Sequence, residues 1–305
     1  DDAKGSTEED EQEPEEEQRP RRGRGRGVGG ANGQERRTVV QKINVEELRK
    51  AKEAEKDAKA RACIEVILTR QRNGELRVEH RRKKAGEGRW YATTRAQLQS
   101  CKREIRAAAL RGTGWEIDLR ASYPMIVMGL MKDMARSGER MARVGAIERY
   151  VRETDEARRQ VAQSYRTSVK GSKKLFNVVM FGGSISRWKQ SWKVSSTAKS
   201  EIAEEFEKEM RRARILIAEQ ELKRCGARER KSDKTLMAEA VSREEERIML
   251  KIQQHVEKQG WKTGTLIHDA IIVQKKSEQD PAEQRRLEQA VEAALSEAMD
   301  ERGWA

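Results

Sequence analysis

The chain has few of the residues that stabilise secreted domains. Its three cysteines, Cys63, Cys101 and Cys225, are widely separated and form no CxxC pair or cysteine–histidine cluster in the sequence. An odd number of scattered cysteines predicts reduced thiols, and neither a zinc site nor a disulfide framework. The acidic first segment has none of the features of a signal peptide. We therefore expect an intracellular protein that is not secreted.

Long apolar runs are also absent. No stretch approaches the roughly 20 apolar residues that a helix needs to span a bilayer, so no membrane partner is predicted. Hydrophobic residues make up 35% of the chain and charged residues 38%, which predicts helices with solvated faces or disordered segments. The net charge of +13 favours a polyanionic partner, although charge of this kind indicates non-specific binding rather than a fold.

Residues 1–36 are predicted to form a disordered tail that is acidic at first and then rich in arginine and glycine. Neither half has enough apolar surface to offset the entropy lost on ordering. The Arg/Gly run is similar in composition to segments that bind single-stranded nucleic acid, which makes RNA a candidate ligand. A solvated linker is the alternative interpretation of this tail.

The remaining sequence patterns predict helices and short strands, which together indicate the α+β class. The predicted helices cover residues 45–62, 96–110, 124–135, 147–163, 164–180, 195–223, 234–259 and 281–299, and the predicted strands cover residues 63–69, 75–80, 90–91, 115–117, 263–267 and 270–274. Strands 63–69 and 75–80 are expected to form a hairpin through an Asn73-Gly74 turn. The two longest charged helices are expected to pack as an antiparallel pair.

Two lone carboxylates stand at strand ends that are far apart in the sequence. Asp118 ends the strand in WEIDLRASYP, and Asp269 occupies the predicted hairpin turn in TLIHDAIIV. Two Mg²⁺ ions roughly 3.5–4 Å apart can bind the attacking and leaving oxygens of a phosphoryl transfer. Because Mg²⁺ keeps several waters, one or two carboxylates and substrate phosphates are enough to hold it. We predict that Asp118, Asp269 and the backbone carbonyl of Leu119 bind two Mg²⁺ ions, or Mn²⁺ in their place. Each aspartate alone is also typical of an ordinary turn.

Between the two carboxylates lies a basic segment that is predicted to be one helix. One face of this helix would carry cations and, further along, an amide and an aromatic ring. Its residues recur at helical spacing and are Arg166, Lys170, Lys173, Asn177 and Phe181, with Lys174 beside them. Such a face can contact a nucleoside triphosphate and the nascent base pair, although many basic helices are simply solvated. Gly182 and Gly183 either allow the template backbone to approach or cap the helix.

Tyr123 is the fifth residue after Asp118. Its ring is placed to lie under an incoming sugar and to exclude a 2′-hydroxyl group. The alternative is a core tyrosine whose hydroxyl group is hydrogen-bonded.

Three of these stretches resemble motifs A, B and C of polymerases that have a right-hand palm. DLRASYP resembles the D-x-x-S-L-Y-P motif A of family B DNA polymerases, which implies that Asp118 binds metal and that Tyr123 excludes ribose. KKLFNVVMFGG is similar to motif B of family A and single-subunit RNA polymerases at Lys173, Phe181 and Gly182.

LIHDAIIV is similar to the V-H-D-E motif C of family A polymerases at His268 and Asp269. The chain departs from these motifs at three positions. Ala270 replaces the second acid of motif C, Asn177 replaces an aromatic residue of motif B, and Val169 replaces the family arginine. This combination resembles a divergent, compact polymerase of the type carried by viruses, plasmids or mobile elements.

The resemblance implies a palm, which is a small antiparallel sheet backed by helices, with helical fingers and a long charged helical pair. The implied segments are 37–111 (palm support or part of a thumb), 112–135 (motif A), 136–192 (fingers with motif B), 193–260 (the helical pair) and 261–305 (motif C and a last helix). The expected partners are a DNA primer–template, which His268, Gly182 and Gly183 would contact, and deoxynucleoside triphosphates. A further region or a partner chain is expected to complete the thumb.

The expected function is that of a DNA polymerase that extends a primer 3′-OH group, in the nucleus or an organelle if the source is eukaryotic. A second hypothesis is a basic nucleic-acid-binding protein whose polymerase motifs are degenerate. The third is a helical scaffold protein. Only the polymerase hypothesis requires Asp118 and Asp269 to lie close together.

Overall fold

The computed structural model describes residues 35–84, 87–138, 143–225, 231–267, 269–277 and 280–304. The predicted disordered tail, up to residue 34, and the predicted primer–template residue His268 lie outside these described residues. The described chain is α+β and contains two three-stranded antiparallel sheets together with long helices.

The first sheet consists of β1 (Arg36–Lys42), β2 (Glu75–Lys84) and β3 (Glu87–Ala92), in that order. Three helices, α1 (Val45–Ala54), α2 (Ala58–Arg70) and α3 (Arg103–Leu110), share a buried apolar cluster with this sheet. The cluster is formed by residues such as Leu48, Ile64, Ile67, Leu76, Val78 and Leu98.

Residues 63–69 are helical, so the prediction of a strand and a hairpin at this position is wrong. Asp57 caps α2 through hydrogen bonds that its carboxylate accepts from the backbone N–H groups of Lys59 and Ala60. Ala60, Ile64 and Ile67 are buried at helical spacing, and this burial overrides the strand preference of the β-branched residues. The Asn73-Gly74 turn does exist, but it connects α2 to β2.

Several predicted helices are shorter or divided. The helix predicted for 45–62 is interrupted at residues 55–57, and α3 begins at Arg103, seven residues later than predicted. The helix predicted for 147–163 consists of α5 (Gly145–Arg152) and α6 (Thr154–Tyr165). The helix predicted for 164–180 begins only at α7 (Val169–Met180), because Ser168 accepts a capping hydrogen bond from the backbone N–H of Gly171.

The second sheet has the strand order β4 (Gly114–Asp118), β6 (Ala270–Gln274) and β5 (Lys262–Ile267). The central strand, β6, is fully buried, and the β5–β6 hairpin confirms the sequence prediction. Around this sheet lie α4 (Ser122–Arg136), α7, α8 (Ile185–Ser191), α9 (Glu201–Cys225), α10 (Asp233–Lys258) and α11 (Glu283–Asp300). They share one large buried core with β4, β5 and β6.

Helix α10 contacts both halves of the fold. It packs against α9, α4 and α11, and the predicted pairing of the two long helices is thereby confirmed. On another side, Glu245 and Glu246 form ion pairs with Arg89 of β3 and Arg82 of β2. Both glutamates are buried. A helix that looks solvated in the sequence therefore joins the first sheet to the core around the second sheet.

Two of the three cysteines meet in the fold. The Sγ atoms of Cys63 on α2 and Cys101, just before α3, are 3.2 Å apart, and both thiols are free. Of the helices that the structure describes, none is long and apolar enough to cross a membrane.

Candidate active site

The two predicted metal ligands lie side by side at one end of the second sheet. Asp118 is the last residue of β4 and pairs with Ala270, the residue that directly follows Asp269. The backbone N–H of Leu119 donates a 3.0 Å hydrogen bond to the carbonyl oxygen of Asp269. Antiparallel pairing of β4 with β6 thus brings together two carboxylates that are 151 positions apart by their residue numbers.

The electrostatics of this strand end favour a bound cation. Partial burial raises the pKa of Asp118, and the negative charges of Asp269 and Glu116 raise it further. Arg103 and Lys173 act in the opposite direction. Two neighbouring carboxylates that repel each other are stabilised when a cation lies between them.

The donor set fits a divalent ion that is shared with a phosphate ligand. In the part of the chain that the structure describes, no group of three or more His, Cys, Asp or Glu side chains is arranged to hold a metal by itself. Mg²⁺ is commonly bound through one or two carboxylates plus substrate phosphates and water. Asp118 and Asp269 meet that requirement, whereas a tetrahedral zinc site would need further protein ligands.

The turn from β4 into α4 is locally strained. Ala121 has φ +53° and ψ +36°, in the left-handed region that non-glycine residues rarely adopt. Backbone conformations of this kind are maintained by the surrounding structure and are frequent at functional sites. Here the turn begins α4 at Ser122 and places Tyr123 directly after it.

Tyr123 contacts the end of the basic helix. Its ring lies edge-on to that of Phe181, with the centroids 5.2 Å apart, while Phe181 is 62% exposed. Burial raises the pKa of Tyr123 to about 12, so the phenol is neutral at physiological pH. The predicted sugar-contacting residue and the predicted base-pair-contacting residue therefore touch each other beside the two aspartates.

Helix α7 carries most of the predicted basic face. Lys170, Lys173 and Asn177 follow each other at helical spacing, Lys170 and Lys173 are exposed, and Phe181 ends the helix. Lys173 is near enough to Asp118 for its charge to lower that carboxyl's pKa. Among the described residues, no carboxylate forms an ion pair with Lys170, Lys173 or Lys174, so their charges remain available to a ligand.

Arg166 lies outside α7, so the prediction that one continuous helix carries Arg166 and the lysines is wrong. It ends α6 in a left-handed conformation, with φ +50°, and lies before the Ser168 cap that begins α7. The residue spacing alone fits one continuous helix, but the backbone breaks between α6 and α7.

Gly182 and Gly183 cap α7. Gly182 has φ +80°, its N–H group donates to the carbonyl of Val179, and the N–H of Gly183 donates to the carbonyl of Val178. This pair of hydrogen bonds is a Schellman motif. Arg214 of α9 and Lys234 of α10 surround Gly182, where an added Cβ atom would lie 2.8 Å from Arg214 Nη1. Sequence reasoning missed these two cations, because their helices follow motif B by many residues.

A third carboxylate, Glu245 of α10, also reaches this region and was missed. Its Oε1 atom is 3.5 Å from Ser122 Oγ, which in turn is 3.5 Å from Asp269 Oδ2. In the sequence, Glu245 belongs to the acidic run at 244–246 of a charged helix, where a solvated position is the usual expectation. Its 1% exposure distinguishes Glu245 from a solvated glutamate, and this burial is visible only in the structure.

No protein-family model matches the chain, and no curated protein matches it in sequence. One solved structure that is similar to it is the POL domain of Pol1 from M. smegmatis in complex with DNA primer-template and dNTP. The TM-score is 0.57 and the sequence identity is 16%, and the match covers 79% of this chain and 48% of that chain. This chain thus spans about half the length of that structure. The likeness establishes the α+β architecture of the described residues as a polymerase-like fold.

Proposed function

We propose that the chain catalyses template-directed nucleotidyl transfer and, more specifically, that it is a DNA polymerase that extends a primer with deoxynucleotides. The observation that carries this proposal is the adjacency of Asp118 and Asp269 at one end of the sheet, near the charge of Lys173. The polymerase-like fold supports it, and the similar M. smegmatis domain was solved with DNA primer-template and dNTP.

In this reaction the primer 3′-oxygen attacks the α-phosphorus of the incoming nucleotide, and pyrophosphate leaves. Two Mg²⁺ ions, or Mn²⁺, would be held by Asp118, Asp269 and the Leu119 carbonyl and would supply charge neutralisation and a more nucleophilic 3′-oxygen. Lys170, Lys173 and Lys174 bind the triphosphate through charge. Phosphoryl transfer depends mainly on such positioning and electrostatic stabilisation.

The surrounding residues select the substrate and hold the duplex. Phe181 and Asn177 face the nascent base pair, and Tyr123 lies against the sugar. Gly182 and Gly183 are assigned to the primer–template side, where the neighbouring Arg214 and Lys234 supply positive charge for a phosphate backbone. His268 is assigned to the same contact from its place in the sequence. A further protein region or a partner chain completes the duplex-binding surface. The protein is intracellular and associated with nucleic acid.

A non-catalytic nucleic-acid-binding protein is the second candidate. Ala270 favours it, because this residue stands where the motif C resemblance has an acid. A chain of this type would bind a primer–template through its positive charge and would not extend it.

The test is primer extension on a labelled primer–template with Mg²⁺, with deoxynucleotides and ribonucleotides in parallel. Asp118→Ala and Asp269→Ala should each reduce extension by about 1,000-fold, the effect of losing a central electrostatic contact. Asp300→Ala, an exposed aspartate at the end of α11, is the control and should extend like the wild type. Binding of the same duplex, followed by fluorescence anisotropy, should persist in all three variants. Duplex binding without extension by the wild type would favour the second candidate.

A further inference from the structure

A buried ion pair lies beneath the candidate active site. Glu245 of α10 is 1% exposed, and its Oε2 atom accepts a 2.6 Å hydrogen bond from Arg89 Nε and forms an ion pair with Arg89 Nη2 at 2.5 Å. Burial of a carboxylate is strongly unfavourable unless it is paired and hydrogen-bonded. Arg89 pairs with the Oε2 atom of Glu245, and the other carboxylate oxygen, Oε1, lies 3.5 Å from Ser122 Oγ.

Ser122 connects this ion pair to the candidate metal ligand. Its side chain is buried, and its hydroxyl group lies 3.5 Å from both Glu245 Oε1 and Asp269 Oδ2. A hydroxyl group has one proton to donate, so Ser122 lies between two acids that compete for it. The charge of Glu245 also acts on Tyr123, whose phenol it makes harder to ionise, while Arg89 opposes that effect.

We propose that Glu245 is a positioning residue of the active site, which together with Arg89 and Ser122 fixes the Asp269 carboxylate for metal binding. This inference rests on the proposed function. Glu245 acts through Ser122 rather than as a metal ligand, because Arg89 occupies its Oε2 atom. Partners that orient a metal-binding carboxylate typically change metal affinity when they are replaced.

A simpler explanation is that the ion pair only attaches α10 to the first sheet. Glu246 provides a matched comparison, since it is the next residue of the same helix, is 9% exposed and pairs with Arg82 of β2. The contact at 3.5 Å with Ser122 Oγ is made by Glu245 Oε1. If attachment is the whole role of Glu245, the corresponding amide substitutions at 245 and 246 should behave alike.

The experiment compares Glu245→Gln with Glu246→Gln in the full chain by two readouts. The first is Mn²⁺ binding measured by electron paramagnetic resonance without nucleotide, and the second is the Mg²⁺ concentration for half-maximal primer extension. Glu245→Gln should weaken Mn²⁺ binding and raise the Mg²⁺ requirement by about 10-fold or more. Glu246→Gln should match the wild type in both readouts, while the two variants lose similar amounts of thermal stability.

Ser122→Ala is the second variant, because it removes the connecting hydroxyl and leaves the ion pair intact. It should weaken Mn²⁺ binding as Glu245→Gln does, and it keeps the inference testable if the glutamine variant fails to fold. Equal Mn²⁺ affinity of the wild type, Glu245→Gln and Ser122→Ala would overturn the inference. A wild type that binds Mn²⁺ in an Asp269-dependent manner but extends no primer would overturn only the proposed function, and the Mn²⁺ comparison would still decide the role of Glu245.

Discussion

At the scale of single residues, the contact between Tyr123 and Phe181 joins the two halves of the candidate nucleotide site. The two residues are 58 positions apart by number, and their rings meet edge-on at 5.2 Å between centroids. Tyr123 is partly buried and Phe181 is mostly exposed. Phe181 thus contacts the tyrosine ring, which also packs against the large buried core.

We predict that Tyr123→Ala lowers the preference for deoxynucleotides over ribonucleotides. Loss of the ring removes the steric obstacle to a 2′-hydroxyl group, and exclusion by shape alone typically contributes about 10–200-fold. Single-nucleotide incorporation of dNTP and rNTP, expressed as a ratio of kcat/KM values, measures the change. Tyr123→Phe is the control, because it retains the ring and should retain the preference. An unchanged ratio in Tyr123→Ala would assign the ring to the core instead.

Some site residues are visible in the sequence, and others depend on the fold. Asp118, Tyr123 and Asp269 occur in short stretches where a carboxylate follows a strand, so their positions can be predicted without a structure. Arg89 and Glu245 are 156 residues apart. Neither has a local pattern that distinguishes it from a solvated charge. A buried ion pair between distant elements is therefore the kind of feature that a single sequence does not reveal.

At the scale of secondary-structure elements, the predictions from sequence are wrong where a helix cap and the secondary-structure preference of the side chains disagree. The run at 63–69 contains two isoleucines and a valine, which favour a strand, but the Asp57 cap and the buried face of α2 make it helical. In the same way, the basic helix begins at Val169, after the Ser168 cap, rather than at Ser164. Residue spacing is continuous through Arg166, and only the backbone reveals that two helices meet there.

The contact between α2 and the segment before α3 leads to a prediction about oxidation. The hydrogen bond from Cys101 lowers the pKa of Cys63 to about 7, although burial opposes the effect. A thiol with that pKa is about half thiolate at pH 7 and attacks disulfides readily. Oxidised glutathione should therefore convert Cys63 and Cys101 to a disulfide and release two molecules of glutathione.

Exposed Cys225 on α9 is the internal control for this oxidation. Peptide mapping after alkylation should find Cys63 linked to Cys101 and Cys225 still alkylated or carrying glutathione. Cys63→Ser should prevent formation of the linkage, and the linked wild type should unfold at a higher temperature, because the bond limits the unfolded chain. Accumulation of glutathione on Cys63 without any linkage would contradict the prediction.

At the scale of the whole molecule, the α+β class can be predicted from the sequence, but the position of the first sheet against the second sheet cannot. Its strand β1 is attached to the second sheet by hydrogen bonds over very long sequence separations. Gln274 Nε2 donates to the carbonyl of Val40, and the N–H of Thr265 donates to Gln41 Oε1. These partners are 234 and 224 residues apart. Nothing local indicates such pairings, because they depend on how the helices between them pack.

The stability of the whole molecule should depend on pH through one residue of the first sheet. His80 lies in β2, is 2% exposed and is opposite Arg37 of β1. Burial lowers the pKa of His80 to about 4, and the charge of Arg37 contributes in the same direction. The unfolded chain, with a histidine pKa of about 6.5, binds a proton between pH 6.5 and 4 that the folded chain does not bind.

We therefore predict that the free energy of unfolding falls as the pH falls from about 6.5 to about 4, and that this contribution is fully retained above that window. Between pH 7 and pH 5 the loss should be about 2 kcal/mol. Urea unfolding of the wild type and His80→Leu at both pH values measures it, since the carboxylates that titrate in both proteins cancel in the difference. The stability of the wild type relative to the variant should fall on acidification by this amount. Parallel pH profiles for the two proteins would show that His80 gains a proton in the folded state as readily as in the unfolded chain.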